Sequence, residues 1–558
     1  MELIANIAQF IGGLGMFLYG LDVMADGLQK SAGDKMKNLL AVLTGKRWLA
    51  VLMGAAITAI IQSSSATTVM VVGFVNAGIM NLSQAVGVIM GANIGTTVTA
   101  WIVSMSEWGQ FLKPEFFAPI LIGIGAFMML MVKSQRRKEI CNIMIGFGLL
   151  FVGLSLMSDS VTVYKDSPVF ANAFATMGAF PLLAILVGTV VTAIMQSSSA
   201  SVGILQTLAM NGMVTWKSAL FITLGQNIGT CVTALISSIG AQKTAKRAAV
   251  IHLSFNVIGT AIYAVILSVL FWINKGLAVS PINSVEISVF HSIFNITCTV
   301  FLYPFADKLV KLSEMIIHDK KEDNADSDED ADLVLTKQRL DNRLLTNVTI
   351  AIEEATLEVV HMGQVAYDNI KLSFDAILQN DKDKAVMVKA KEKTIDQMAH
   401  YISDYLVRIN GTDLSPEQSN TITDLFYTVS DIERMGDHAE DLAELAIYKT
   451  DNHIRFSDAA YEELNGLMEL VTNSCVYALR ARENNDRQYA SKAVSYEEMV
   501  DQVEAELRRK HMDRLSQELC KPTSGVTFLN ILSNLERMAD HADNVAGYVL
   551  TENGIEMA

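Results

Sequence analysis

Charge is what much of this chain lacks. Between Trp48 and Ser106 there is no Asp, Glu, Lys, Arg or His, and between Ser167 and Gln242 only Lys217 is charged. Runs of this length and apolarity point to a membrane protein. Cysteine is scarce: Cys141, Cys231, Cys298, Cys475 and Cys520 show no metal spacing and read as reduced, packed thiols. No nucleophile–base pair, P-loop or zinc motif is present, so an enzyme finds no support. A net charge of −16 argues against a nucleic-acid partner. The N-terminus has neither a basic stretch nor a small-residue cleavage site, so Leu3 onward reads as a retained first span.

What is present is doubled. Gln62-Ser63-Ser64-Ser65-Ala66 returns as Gln196-Ser197-Ser198-Ser199-Ala200. Gly91-Ala92-Asn93-Ile94-Gly95-Thr96-Thr97 returns as Gly225-Gln226-Asn227-Ile228-Gly229-Thr230-Cys231, at the same separation in both copies (62 to 95, 196 to 229). Polar side chains at membrane depth are costly unless partnered, so both clusters are binding-site candidates. The competing reading, small residues that only let helices pack, does not account for a doubled pattern at fixed spacing.

The apolar run Trp48–Met80 is too long for one crossing, and its serines leave arms of about 14 residues, short for a span. A hairpin turning at the serines fits better, and a second spans Pro181–Gly212. Full crossings are expected at Leu3–Leu28, Leu82–Met105, Phe116–Val132, the stretch containing Gly146–Leu154, Ala219–Ile239, Ala248–Trp272 and Val285–Phe305. With both hairpins re-entrant, the basic clusters at 30–47, 133–138, 243–247 and 308–311 share one side, as the positive-inside rule requires. The second copy is then inverted relative to the first, the mark of a secondary transporter.

The hairpin tips begin helices, so they offer unpaired N–H groups and a positive dipole end. Gln62, Ser63, Ser64 and Ser65 with Gln196, Ser197, Ser198 and Ser199 would cradle an oxyanion without Arg or Lys. Unwound carbonyls near Asn93, Thr96, Thr97, Asn227 and Thr230 suit a small hard cation such as Na+, which would offset the anion's charge. On these residues the chain resembles the sodium-coupled phosphate cotransporters over roughly 1–310. The resemblance implies inorganic phosphate as substrate and Na+ as coupling ion. His252-Leu253-Ser254-Phe255-Asn256 and His291-Ser292-Ile293-Phe294-Asn295 share a pattern that reads as hydrogen bonds locking the last two spans, with a proton relay as the competing reading.

An acidic linker follows at 318–334, then amphipathic helices: three to about Tyr448 and three from Asp458 to Leu550. Glu433, Asp437 and Asp441 are spaced on one helix face, as are Glu536, Asp540 and Asn544. They predict a carboxylate metal site in each half, with Glu392 and Asp396 or Glu497 and Asp501 adding ligands; a solvated acidic face with Arg434 and Arg537 as partners is the competing reading. The doubled Glu-Arg-Met-x-Asp-His-Ala pattern looks like the PhoU family, which implies a six-helix fold, a divalent or iron-type metal and a role in phosphate regulation.

The expectation is therefore an all-α chain in four parts: membrane repeat 1 (1–133), repeat 2 with an extra final span (134–317), the linker (318–334) and a PhoU-like domain (335–558). It would be a sodium-coupled phosphate transporter of the bacterial inner membrane, with the C-terminal domain cytoplasmic. A membrane-anchored phosphate receptor or regulatory scaffold is the alternative. Phosphate and the lipid bilayer are the expected partners; a homodimer and cytoplasmic phosphate-regulation partners stay open, as does the direction of transport.

Overall fold

The computed structural model describes residues 2–41, 46–108, 114–165, 167–318, 330–412 and 414–553, and its regular elements there are all helical. The chain divides into two compact units, Met1–Asp323 and Asn324–Ala558.

The first unit opens with α1 (Glu2–Ala41), which runs unbroken past the expected end of the first span. A hairpin follows, α2 (Arg47–Ile61) and α3 (Ser64–Asn76). Gln62 ends α2 in the left-handed region at φ 57°, and Ser63 caps α3 by accepting the Ala66 N–H at 3.1 Å. A left-handed C-cap followed at once by a serine N-cap reverses the chain within two residues. Then come α4 (Leu82–Gly95), α5 (Thr97–Ser104) and α6 (Pro114–Met131).

The second copy repeats this order: α7 (Gln135–Thr162), α8 (Pro168–Ala179), a hairpin of α9 (Pro181–Met195) and α10 (Ser198–Met210), then α11 (Trp216–Gly229) and α12 (Cys231–Ser237). Helix α8 is an addition the sequence did not announce. It bends by 113° into α9 at Pro181, whose ring disfavours helix at the residue before it. The unit closes with α13 (Lys243–Ile273), α14 (Lys275–Val279), α15 (Ser284–Leu302) and α16 (Ala306–Ile316).

Among the described residues, six segments are long and apolar enough to cross a bilayer: Glu2–Ser31, Leu82–Glu107, Arg137–Thr162, Trp216–Ser237, Lys243–Ile273 and Ser284–Ile316. Helix α2, with 15 residues, reaches only about 22 Å against a hydrocarbon core of about 30 Å. The two ends of the first hairpin are held by neighbouring segments. Arg47 Nη2 donates to Ser83 Oγ at 2.6 Å, and Asn76 Oδ1 accepts the Gln242 N–H at 2.8 Å, at the start of α13. A backbone contact follows the second hairpin. Trp216, just after it, donates its N–H at 3.0 Å to Ser280, just after α14. With 31 residues, α13 is about 46 Å long.

The contact of α1 with α7 shows the inversion directly. A Cβ on Gly13 would lie 2.8 Å from the Gly153 carbonyl, and one on Gly146 would lie 2.6 Å from that of Gly20. Gly13 and Gly20 are echoed by Gly146 and Gly153, so each glycine meets the counterpart of the other, with the chains antiparallel. Phe17, Leu21 and Met24 pack there against Leu150, Phe151 and Leu154.

In the second unit, Asp330 caps α17 (Ala331–Arg339) by accepting the Asp332 N–H at 2.9 Å, so the expected linker end at 334 already lies within a helix. The acidic run of the linker lies outside the described residues. Two three-helix bundles follow as expected: α18 (Val348–Gln379), α19 (Lys382–Asn410) and α20 (Pro416–Asp451), then α21 (Asp458–Asn484), α22 (Arg487–Ser516) and α23 (Pro522–Glu552). One continuous core joins them, with Met362, Ile432, Leu479 and Leu535 among its buried residues.

Candidate functional site

Residues at the two hairpin tips come together. Ser65 Oγ donates to the Gln196 carbonyl at 3.4 Å, and Ser199 Oγ lies 3.3 Å from Thr99 Oγ1. Thr99 in turn donates to Gln62 Oε1 at 2.9 Å. Ser64 and Ser198 are buried at the first residues of α3 and α10. Ser63 and Ser197 each cap their own helix, accepting the N–H of Ala66 at 3.1 Å and Ala200 at 3.2 Å. An accepting hydroxyl still has its proton to donate. Gln62 and Gln196 both take the left-handed conformation, but Gln62 is buried and Gln196 exposed.

Thr99 escaped the sequence reading although its signal was present. The doubled motif continues past Thr97, because Val98-Thr99-Ala100 returns as Val232-Thr233-Ala234. Thr99 is the hydroxyl that reaches both hairpins.

The residues expected to hold a cation are buried, but their carbonyls are not unwound. Thr96 and Thr230 keep helical angles, φ −58° and ψ −29° in both, so each interruption is confined to one residue. The threonine hydroxyls fold back onto the helix: Thr96 donates to the Ala92 carbonyl at 3.1 Å, Thr97 to Ile94 at 2.8 Å and Thr230 to Asn227 at 2.7 Å. Such back-bonding lets a helix bend without unravelling. The glycines serve close approach instead. A Cβ on Gly95 would lie 2.7 Å from Thr58 Cβ, and one on Gly229 would lie 2.6 Å from Thr192 Cβ. Nor do the histidines bond to each other's spans. His252 Nε2 lies 3.3 Å from Asn93 Oδ1, and His291 Nε2 lies 3.4 Å from Asn227 Oδ1.

In the second unit the structure gathers Glu392, Asp396 and Asp437, and separately Glu497, Asp501 and Asp540, with ligand atoms of each group within 4.8 Å of one another. Burial, then Asp396, raises the Glu392 carboxyl to about 8; burial, then Asp501, raises Glu497 to about 7. Glu433 and Glu536 are raised too, first by burial and then by Asp396 and Asp540 respectively. Asp441 and Asn544 stand elsewhere: Asp441 lies 3.8 Å from His438 Nδ1, and Asn544 donates to Asp431 at 3.0 Å. Glu440 and Asp543 bear on Glu392 and Glu497 in their stead. At about 100° per residue, i+7 returns to within about 20° of the starting face, whereas i+8 overshoots by about 80°. Converging carboxylates of this kind fit an oxygen-preferring cation. Arg434, 3.2 Å from Asp437, offsets part of the charge.

Comparison with known proteins agrees with this division. The sequence model of the Na+/Pi-cotransporter family matches residues 16–159 and 167–301, and that of the PhoU domain matches 359–446 and 464–549. The chain is 24% identical over 550 residues to YjbB of Escherichia coli (strain K12), named as a candidate inorganic phosphate export protein, with 98% of each chain covered. It is 35% identical over 109 residues to the sodium-dependent phosphate transport protein 2A of Rattus norvegicus, covering 19% of this chain and 17% of that one. The crystal structure of PhoU from Pseudomonas aeruginosa is similar at 24% identity and a TM-score of 0.35, covering 36% of this chain and 96% of that one.

Proposed function

Because the chain belongs to the Na+/Pi-cotransporter family and carries a PhoU domain, we propose that it moves inorganic phosphate across a bacterial inner membrane together with sodium, its C-terminal domain regulating that flux from the cytoplasm. One observation carries the reading: the tips meet, with Ser65 on Gln196 and Ser199 on Thr99. In this reading both hairpins are re-entrant and α3 and α10 aim their N-termini at one anion. The hydroxyls of Ser63, Ser64, Ser65, Ser197, Ser198 and Ser199 donate to its oxygens, and the amides of Gln62 and Gln196 orient it.

No Lys or Arg lies between Trp48 and Ser106 to neutralise the anion, so co-bound Na+ would do so at Asn93, Thr96, Thr97, Asn227 and Thr230. Inverted halves around a midplane site suit alternating access. The carboxylate clusters would hold a divalent or iron-type cation that tethers α19 to α20 and α22 to α23. A homodimer and cytoplasmic regulatory partners belong to the same proposal.

Likeness to an export protein over 98% of both chains favours a second reading, outward flux. Purified protein in proteoliposomes with imposed gradients separates the two. Phosphate movement driven by a Na+ gradient supports coupling, and outward movement indifferent to Na+ supports export alone. Phosphate binding without flux in either direction would return the chain to the receptor class.

A further inference from the structure

Two polar stripes on the closing spans have no part in the phosphate cradle. Helix α13 carries His252, Asn256 and Thr260; α15 carries His291, Asn295 and Thr299 at the same intervals, and all six are buried. Each span touches both copies. His252 meets Asn93 in the first copy, whereas Thr260 donates to the Leu224 carbonyl in the second at 3.3 Å. His291 meets Asn227 in the second copy, whereas Thr299 donates to the Met90 carbonyl in the first at 3.4 Å. Met90 and Leu224 occupy equivalent places in the doubled block. The last two spans are therefore each other's counterparts, and α15 is not an extra.

We propose that His252 and His291 are positioning residues that fix the amides of Asn93 and Asn227 for the coupling cation. This rests on the sodium reading of those asparagines. The amide of Asn227 is oriented without ambiguity: its Nδ2 donates to the Thr223 carbonyl at 2.8 Å, so Oδ1 faces His291. Nε2 of the imidazole must then carry the proton and donate it. Nδ1 of both histidines has no hydrogen-bond partner among the described residues, so nothing competes for the tautomer from the other side of the ring. A carbonyl oxygen has two acceptor directions. With one taken by imidazole, the other is held in a fixed direction, available to a cation. The arrangement is that of a ligand oriented by a hydrogen bond from behind. The Asn93 amide is held on one side alone, since its Nδ2 is unpartnered among the described residues.

The test uses the full chain in proteoliposomes, with phosphate flux measured against Na+ concentration. His252→Ala and His291→Ala should raise the KM for Na+ by about 10- to 100-fold, the usual effect of losing an orienting partner, while kcat at saturating Na+ changes less. His→Gln, whose amide N–H can stand near the place of Nε2, should recover most of the loss; His→Asn should not. The thermal shift produced by Na+ alone gives a second readout independent of transport, and it should move to higher Na+ in the alanine variants. An unchanged KM and thermal shift in both alanine variants, with Asn93→Ala and Asn227→Ala raising both, would overturn the positioning role and leave the sodium site standing. Na+ dependence untouched in the asparagine variants would overturn the sodium reading, and this inference with it.

Discussion

In the first hairpin Gln62 is buried and accepts a hydrogen bond from Thr99 at 2.9 Å, whereas Gln196, its counterpart in the second, is exposed. The arms differ as well. Thr58 donates to Thr67 at 3.0 Å across the first hairpin. In the second, Gln226 Nε2 has taken Ser201, the counterpart of Thr67, at 2.9 Å, and Thr192 Oγ1 is left without a partner among the described residues. The backbones nevertheless agree, with φ 57° at Gln62 and 51° at Gln196. Local sequence, copied faithfully, sets the turn. The side-chain partners depend on a third helix, and there the copies diverge, with Ala92 in the first copy where the second has Gln226.

The antiparallel α1–α7 contact offers the most severe way to break the comparison. Gly20→Val and Gly153→Val each push a side chain into backbone across the α1–α7 crossing, so each should destabilise by about 3 kcal/mol or abolish folding. Thermal melts of purified protein should show equal losses; a loss at only one position would refute the twofold relation.

Next in size are the serines at the tips. Ser64→Ala and Ser198→Ala should each weaken phosphate binding by about 1–3 kcal/mol, read by calorimetry at fixed Na+. Similar values would mean that both tips serve one anion despite their different surroundings. Binding unaffected by both changes would leave the cradle without support.

A smaller effect sharpens the difference itself. Gln226→Ala removes the amide bound to Ser201 and should cost about 1 kcal/mol of stability. Ala92→Gln has no such partner waiting and should not be its mirror image, which denaturation of the two variants would reveal.

The acidic clusters allow the same comparison in the second unit, with the smallest expected change. A carboxyl raised in the folded state favours folding below its unfolded value and loses that advantage as pH rises through the folded one. Without metal, the second unit should therefore lose stability as pH climbs from the ordinary carboxyl value of 4.5 to about 7, for Glu497, and to about 8, for Glu392. Its melting temperature should fall by a few degrees and recover when a divalent cation is added. A melt indifferent to pH and to cation would remove the metal reading.

Much of this was legible in the chain. The hairpins, the doubled crossings and the six long helices of the second unit follow from apolar runs, serine caps and amphipathic periodicity. Less legible were features that depend on direction around a helix. Asp441 and Asn544 shared a stripe with the cluster residues on paper, but rotation places Glu440 and Asp543 nearer. The glycines near Asn93 and Asn227 suggested unwinding, whereas they let α2 and α9 pass close by. Thr99 lay two residues beyond the point where the repeat was first noticed.

The sequence by itself determined that there are two copies, where each chain reversal falls and which residues are too polar for their surroundings, because these depend on neighbours a few positions apart. Only the tertiary structure decided which polar groups meet. His252 reaches Asn93 and His291 reaches Asn227 across long stretches of chain. A hydrogen bond needs its partners within about 3.5 Å and suitably aimed, and spacing along the chain does not encode that condition between separate helices.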